Sequence, residues 1–407
     1  MRILWLKTEL LHPVDKGGRI RTFNMLRELK RDHRITYVAL DERNPGPKER
    51  ALAAEYCHEL ICVPHRLRTK FSAGFYFELI ANLVSTLPYF MKKYQSRRMR
   101  GEIQRLLQND EFDVVVCDFL QASVNVPEKV SIPIVLFQHN VEAMIWKRHY
   151  EIQINPVKKA YLYFQWRKAW RYERNACLRF DMVIAVSKAD EEQMRQDYGL
   201  SFTASVPTGV DVDYFRSRGQ TIAEDHGLVF TGSMDWLPNE DAMQYFIRDI
   251  LPLVRKVVPD VSLTIVGRNP YDSLVALAEH DKNILVTGRV DDVRPYIEQA
   301  KVYIVPIRIG GGTRLKIYEA MAMEKPVVST TIGSEGLPVS HGKEILIADT
   351  AADFAAAVVR ALNDAAFARQ LGAEAARLVR QDFGWRGVAD LFAEICERTT
   401  SKRTAAA

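Results

Sequence analysis

The sequence predicts an α/β protein: two doubly wound, Rossmann-like parallel-sheet domains facing a central cleft. Three observations predict it. The 407 residues suit two domains of roughly 100–200 residues each. Short apolar runs recur with helical patterns between them. They are continuous rather than alternating, as strands covered on both faces are. Proline, glycine and polar residues gather over 205–225, marking a link between two similar halves.

In the first half, Ile3–Leu6, Thr36–Leu40, Leu60–Val63, Val114–Cys117, Pro133–Phe137 and Met182–Val186 read as strands. Each is a short apolar run bounded by polar residues or turn formers. Gly18–Arg31, Lys92–Gln108 and Pro156–Arg179 carry helical spacing between them. The second half repeats the theme. Leu228–Phe230, Ser262–Val266, Ile284–Val286, Val302–Val305 and Val327–Val328 are its strands. Leu237–Val257, Val290–Gln299, Thr313–Met323 and Ala351–Leu362 are its helices. The first domain is therefore drawn at 1–205 and the second at 206–384, with the C-terminal helix, 385–400, packing back on the first.

Composition narrows the class. A hydrophobic fraction of 47% and a charged fraction of 26% are those of a globular chain. The five cysteines, Cys57, Cys62, Cys117, Cys177 and Cys396, form no C-x-x-C, which argues against a zinc site or a disulfide framework. The N-terminus reads as a first strand rather than a signal peptide. The nearest approach to a membrane span, Phe71–Met91, is interrupted by Glu78 and Pro88. A cytoplasmic location is expected, with peripheral contact to the inner face of the membrane left open.

Charge is uneven: residues 1–210 carry net +9 and the rest −4, for the formal +5 of the whole. The basic half interleaves aromatics over 65–100 and 158–174, a pattern suited to a membrane surface. Ordinary buried helices with snorkelling Arg and Lys are the alternative. No nucleic-acid recognition motif accompanies the charge.

The most informative segment is R-I-G-G-G-T-R-L-K-I-Y-E-A-M-A-M, Arg308 to Met323. A strand runs into Gly310, Gly311 and Gly312, and Thr313 opens a helix. Glycines let the backbone approach a ligand, and a helix start offers free N–H groups to an anion. Arg314 and Lys316 add full charges where the helix dipole disfavours cations, which points to an anionic ligand; a solvated surface pair is the alternative. Glu319 could accept from hydroxyls or pair with a neighbouring base. The loop is neither a Walker loop nor the dinucleotide fingerprint.

Four motifs together resemble the retaining glycosyltransferases of family 4, which have the GT-B fold. They are P-V-D-K-G-G-R-I-R-T-F near the N-terminus, F-Q-H-N at Phe137–Asn140, P-T-G-V-D-V-D-Y-F at the domain link, and G-G-G-T-R-L-K-I-Y-E-A-M-A-M-E-K-P-V-V-S-T. The resemblance runs from Lys7 to about Trp385 and is closest to a branch associated with exopolysaccharide assembly. It implies a nucleotide-diphosphate sugar as co-substrate, a glycan or lipid-linked acceptor, no other cofactor and no metal. Asp211 and Asp213 form a D-x-D, but in the interdomain turn.

The resemblance also implies roles. His139, Arg314 and Lys316 are the catalytic candidates: His139 orienting the sugar, the two basic residues neutralising the leaving diphosphate. Gly17, Gly18, Gly232, Ser233, Gly288, Arg289, Val290, Gly310, Gly311, Gly312, Thr313 and Glu319 are the donor-binding candidates. Glu319 is expected on the ribose, and V-T-G-R-V at Val286–Val290 on the base. Arg268, Asp15 and Lys16 are weaker candidates in the same regions. Family members often have a second carboxylate eight positions before Glu319; here that position is Gly311. They also often carry basic residues after the first strand of the second domain, where this chain reads F-T-G-S-M-D-W-L-P-N-E-D. Arg314 and Lys316 are expected to take over that charge. A nucleotide-sugar epimerase of the same fold and a non-catalytic nucleotide-sugar-binding assembly protein remain as alternatives.

Overall fold

The computed structural model describes residues 1–14, 17–41, 45–69, 72–109, 111–217, 227–309 and 314–406, with the backbone alone at 152, 402 and 404–406. Asp15, Lys16, Gly310, Gly311, Gly312 and Thr313 therefore lie outside the described residues. The chain forms two compact units, one of Met1–Pro207 with Val388–Ala407, the other of Thr208–Gly387.

The first unit holds a seven-stranded, all-parallel sheet. Its strands are β1 (Arg2–Lys7), β2 (Arg34–Asp41), β3 (Glu59–Pro64), β4 (Val114–Asp118), β5 (Ile134–Phe137), β6 (Met182–Ala185) and β7 (Thr203–Ser205). They lie in the order β3-β2-β1-β4-β5-β6-β7. The order reverses between β1 and β4, where Ile3 to Leu6 pair with Val114 to Cys117. A crevice opens at such a reversal, beyond the carboxyl ends of the strands. The sheet's central strands are buried along nearly their whole length, because helices cover both faces. Helix Trp385–Ala406 contributes Phe392 to this core, 5.6 Å from Trp5 and 5.1 Å from Phe137 between ring centres.

The second unit repeats the plan with β8 (Gly227–Thr231), β9 (Ser262–Val266), β10 (Ile284–Val286), β11 (Val302–Val305), β12 (Val327–Ser329) and β13 (Leu346–Ile347). The order is β10-β9-β8-β11-β12-β13, again all parallel, with the reversal between β8 and β11.

Four helices differ from the sequence expectation. Val290–Gln299 starts only at Arg294, because Asp292 Oδ1 accepts from Arg294 N at 2.9 Å and Pro295 suits a helix start. Lys92–Gln108 is two pieces, Tyr89–Lys92 and Arg97–Asn109, because Ser96 caps the second: its Oγ accepts from Met99 N at 3.2 Å. Leu237–Val257 splits into Leu237–Tyr245, a wide π turn at Phe246–Ile250, and Leu251–Arg255. Pro252 cannot donate to the turn before it, so the ladder widens there. The helix expected from Thr313 runs Leu315–Ala322, since Arg314 is extended at ψ 90. The short strands β7 and β13 are too brief to read from apolar runs.

Candidate functional site

Each reversal point gathers charged residues. In the first unit Lys7 ends β1 and Asp118 ends β4, and both are fully buried. Their side chains lie 2.8 Å apart. Thr22 Oγ1 donates to the same Asp118 oxygen at 2.7 Å and Trp5 Nε1 at 3.1 Å. Burial alone would raise the Asp118 carboxyl; Lys7 and His139 more than offset it and hold it well below the usual carboxylate range. Asp118 is therefore an anion in the core.

His139 follows β5 and is buried at 4% exposure. Its Nε2 lies 2.7 Å from Asp118 Oδ1, and its Nδ1 lies 3.3 Å from Arg21 NH1. A guanidinium only donates, so Nδ1 is the acceptor and Nε2 carries the proton toward Asp118. Burial pushes the imidazole down to about 3, with Asp118 pulling the other way. The ring is neutral, and neither nitrogen faces open solvent.

The ring stacks on Phe119 at 3.7 Å. Phe119 has φ 70, a left-handed conformation that costs a non-glycine residue about 1 kcal/mol or more. The strain turns its ring over Gly18, where a Cβ would meet Phe119 Cζ at 2.7 Å. A side chain at position 18 would therefore displace the Phe119 ring, whereas Gly17 is exposed with open space around it. Gly18 and His139 are brought together through Phe119. Next to His139, Gln138 donates to Glu173 at 2.8 Å. Glu173 also accepts from the amides of Glu142 and Ala143 and from Tyr198, while burial pushes its carboxyl up to about 7. This fixes the loop that carries His139.

In the second unit the carboxyl ends of β8, β9 and β10 each turn on a glycine. Gly232 N donates to Val266 O at 2.9 Å, and Gly267 N to Gly288 O at 3.2 Å. A Cβ on Gly267 would lie 1.7 Å from Gly232 O, and Gly288 has φ +70. The strand ends thus form a floor of bare backbone. Arg268 Nε donates to Ser233 Oγ at 2.9 Å on this floor. Arg289 is exposed, and Val290 packs against the core.

Lys316, in the first turn of helix Leu315–Ala322, reaches back to this floor. Its Nζ donates to Asn239 Oδ1 at 3.0 Å and sits 3.9 Å from the Phe230 ring centre. Glu319 follows three residues later on the same face. Burial drives the pair together: Lys316 falls to about 7, with Arg314 adding to the fall, and Glu319 rises to about 7. Arg314 is buried, 5.3 Å from the Trp236 ring centre. Arg308 is tied instead to Asp241 at 2.7 Å. Lys316 thus supplies an ammonium to a turn whose own sequence has none. Among the described residues no three His, Cys, Asp or Glu side chains cluster as metal ligands would.

Gly232 and Lys316 are in close contact. A Cβ at 232 would lie 2.8 Å from both Lys316 Nζ and Asn239 Nδ2. Gly232→Ala is therefore expected to displace the ammonium while leaving the strands intact. Affinity for an anion held by Lys316 should fall about tenfold, the scale of one lost charge-assisted hydrogen bond, with an unchanged melting curve.

Within each unit some of the candidates come together. Gly232, Ser233, Lys316 and Glu319 form one group, continued by Gly288, and His139 with Gly18 another. Lys7, Arg21, Asp118, Glu173, Asn239 and Gly267 were not among the candidates. A charged residue closing an apolar strand, as in I-L-W-L-K and V-V-V-C-D, is the signal that could have found Lys7 and Asp118.

The chain matches two family models, Glycosyltransferase Family 4 over residues 16–214 and Glycosyl transferases group 1 over 225–364. A Klebsiella pneumoniae relative, an uncharacterized 44.6 kDa protein in a cps region, is 23% identical over 94% of this chain and 96% of its own. Trehalose synthase of Thermococcus litoralis is 20% identical over 62% and 63%. Among solved structures, sucrose-phosphate synthase from Thermosynechococcus elongatus superposes with TM-score 0.70 at 17% identity, covering 99% of this chain and all of that one. Anabaena HepE in complex with UDP gives 0.66 at 14% identity, covering 98% and 100%. The two all-parallel sheets are those of the GT-B fold, and the chain belongs to the family-4 glycosyltransferases.

Proposed function

We propose that this glycosyltransferase is retaining and metal-independent. It would move a sugar from a nucleoside-diphosphate sugar to a glycan or lipid-linked acceptor in polysaccharide assembly. The observation that carries the proposal is Lys316, held on the glycine floor beside Glu319 at the reversal of the second sheet. An ammonium pressed toward neutrality by burial gains most from an arriving diphosphate, whose charge restores its proton. Arg314, with the loop 310–313 outside the described residues, would complete the anion site. Glu319 would take the ribose hydroxyls, and the backbone around Gly288, Arg289 and Val290 the base. The cps-region relative supports the polysaccharide setting, and the UDP-bound neighbour makes UDP the first nucleotide to test.

In the transfer proposed, the bond from the anomeric carbon to the diphosphate breaks as the acceptor oxygen bonds to that carbon on the same face. The acceptor's proton passes to the departing phosphate oxygen. Lys316 and Arg314 stabilise the charge that develops there, the work a metal ion does elsewhere. His139, neutral and enclosed, is given a positioning role: it holds Phe119 and Gly18 in register.

The test is transfer from a panel of UDP-sugars in the presence of a chelator, followed by NMR of the product. Full activity with EDTA and an unchanged anomeric configuration are expected. An inverted product, or activity lost to EDTA and restored by manganese, contradicts the proposal.

A further inference from the structure

We propose that the first unit carries a docking face for an anionic lipid bilayer, built jointly by helices Ala73–Asn82 and Pro156–Arg179. The first helix is inside out. Tyr76, Phe77 and Ile80 recur at helical spacing on its solvent side, and Leu83 and Val84 continue the stripe. Phe77 is 72% exposed and Val84 92%. A surface helix normally turns such a stripe inward, so a contiguous exposed one marks an interaction surface.

The second helix also exposes apolar side chains. Ile154, just before it, is 94% exposed, Val157 77% and Phe164 56%. Although far apart in sequence, the two helices are bonded to each other. Gln165 Nε2 donates to Asn82 Oδ1 at 2.9 Å, and Lys168 Nζ donates to Asn82 O at 2.7 Å and Leu83 O at 3.0 Å. The end of the first stripe, at Leu83, therefore lies beside the second helix.

Charge selects the occupant. Residues 65–100 hold eight Lys and Arg against one acid, Glu78. That acid is already engaged by Arg68 at 3.1 Å and by the Tyr89 hydroxyl. Residues 154–174 hold six Lys and Arg against Glu173, which is buried. A second copy of this chain would meet the face with the same positive charge. An anionic headgroup layer complements it, with the aromatic and aliphatic side chains entering the acyl boundary. Among the described residues no helix is long and apolar enough to cross a membrane, so the contact is with the surface. The face would suit a lipid-linked acceptor, yet it stands independently of sugar transfer.

The full chain, without donor, is sedimented with vesicles of phosphatidylcholine alone or mixed with phosphatidylglycerol. Binding to the anionic vesicles and not to the neutral ones is expected. Phe77→Glu/Ile80→Glu should weaken it at least about tenfold, as should Arg167→Glu/Arg171→Glu. Both variants change exposed positions and should melt like the wild type. Equal binding to neutral vesicles, binding retained by either variant, or no binding by the wild type overturns the proposal. So does a dimer that Phe77→Glu/Ile80→Glu dissolves in place of vesicle binding.

Discussion

Lys316→Ala is expected to lower kcat/KM for sugar transfer by roughly a hundred- to a thousandfold, about 3–4 kcal/mol of transition-state stabilisation. The ammonium is held in place before the donor arrives, by Asn239 and the Phe230 ring, so little reorganisation offsets its effect. Initial rates against a UDP-sugar check the size, and an unaltered melting curve shows that folding is spared. Activity within a few fold of wild type would remove Lys316 from the site.

The same residue sets a pH signature. Lys316 sits at about 7 instead of its ordinary 10.5, and Glu319 at about 7 instead of 4.5. Above pH 7 the free protein loses the Lys316 proton, and the diphosphate proposed to bind there would restore it. Donor affinity should therefore fall as pH climbs from 7 toward 9. Lys316→Arg, charged throughout that range, should flatten the fall. The stability of the free protein carries the matching signs. Glu319, raised on folding, costs stability progressively from pH 4.5 to 7. Lys316, depressed on folding, returns stability from pH 7 toward 10.5. The pair's contribution is thus least favourable near neutrality, and a saturating nucleotide should relieve it there.

The largest expected loss of stability comes from the first unit. Asp118→Ala leaves the Lys7 ammonium buried with Thr22 Oγ1, at 2.8 Å, as its one hydrogen-bond partner among the described residues. Breaking a buried pair from one side costs about 3–5 kcal/mol, a fall in melting temperature of roughly 4–6 °C for a chain of this size. Trp5 Nε1 and His139 lose their acceptor as well. Lys7→Met/Asp118→Ala should recover part of the loss, since the uncompensated charge is gone. A double variant no better than the sum of the singles would mean that the two residues are not coupled.

Much of the fold was legible because buried parallel strands are written as continuous apolar runs. The runs at Ile3–Leu6, Val114–Cys117 and Val302–Val305 lie inside observed strands. Helix ends were less legible, because one side chain decides them. Ser96 restarts a helix, and Pro252 widens a turn that apolar spacing alone carries straight through. At the site, the residue types were readable and their partners were not. Lys316 and Asn239 are 77 positions apart, and Lys7 and Asp118 are 111. No local pattern encodes such a meeting; the strand order does, by placing β1 beside β4. The route of Lys316 to the turn after β8 is likewise not written locally: Gly232 has no side chain, and that bare backbone makes room for the ammonium.

We propose that the start of helix Leu315–Ala322 and the glycine floor hold the donor's diphosphate. A crystal structure of the full chain with UDP tests it most directly. Diphosphate oxygens within hydrogen-bond reach of Lys316 Nζ, and the ribose hydroxyls on Glu319, are expected. A diphosphate bound away from Lys316, with Asn239 still its partner, would contradict it.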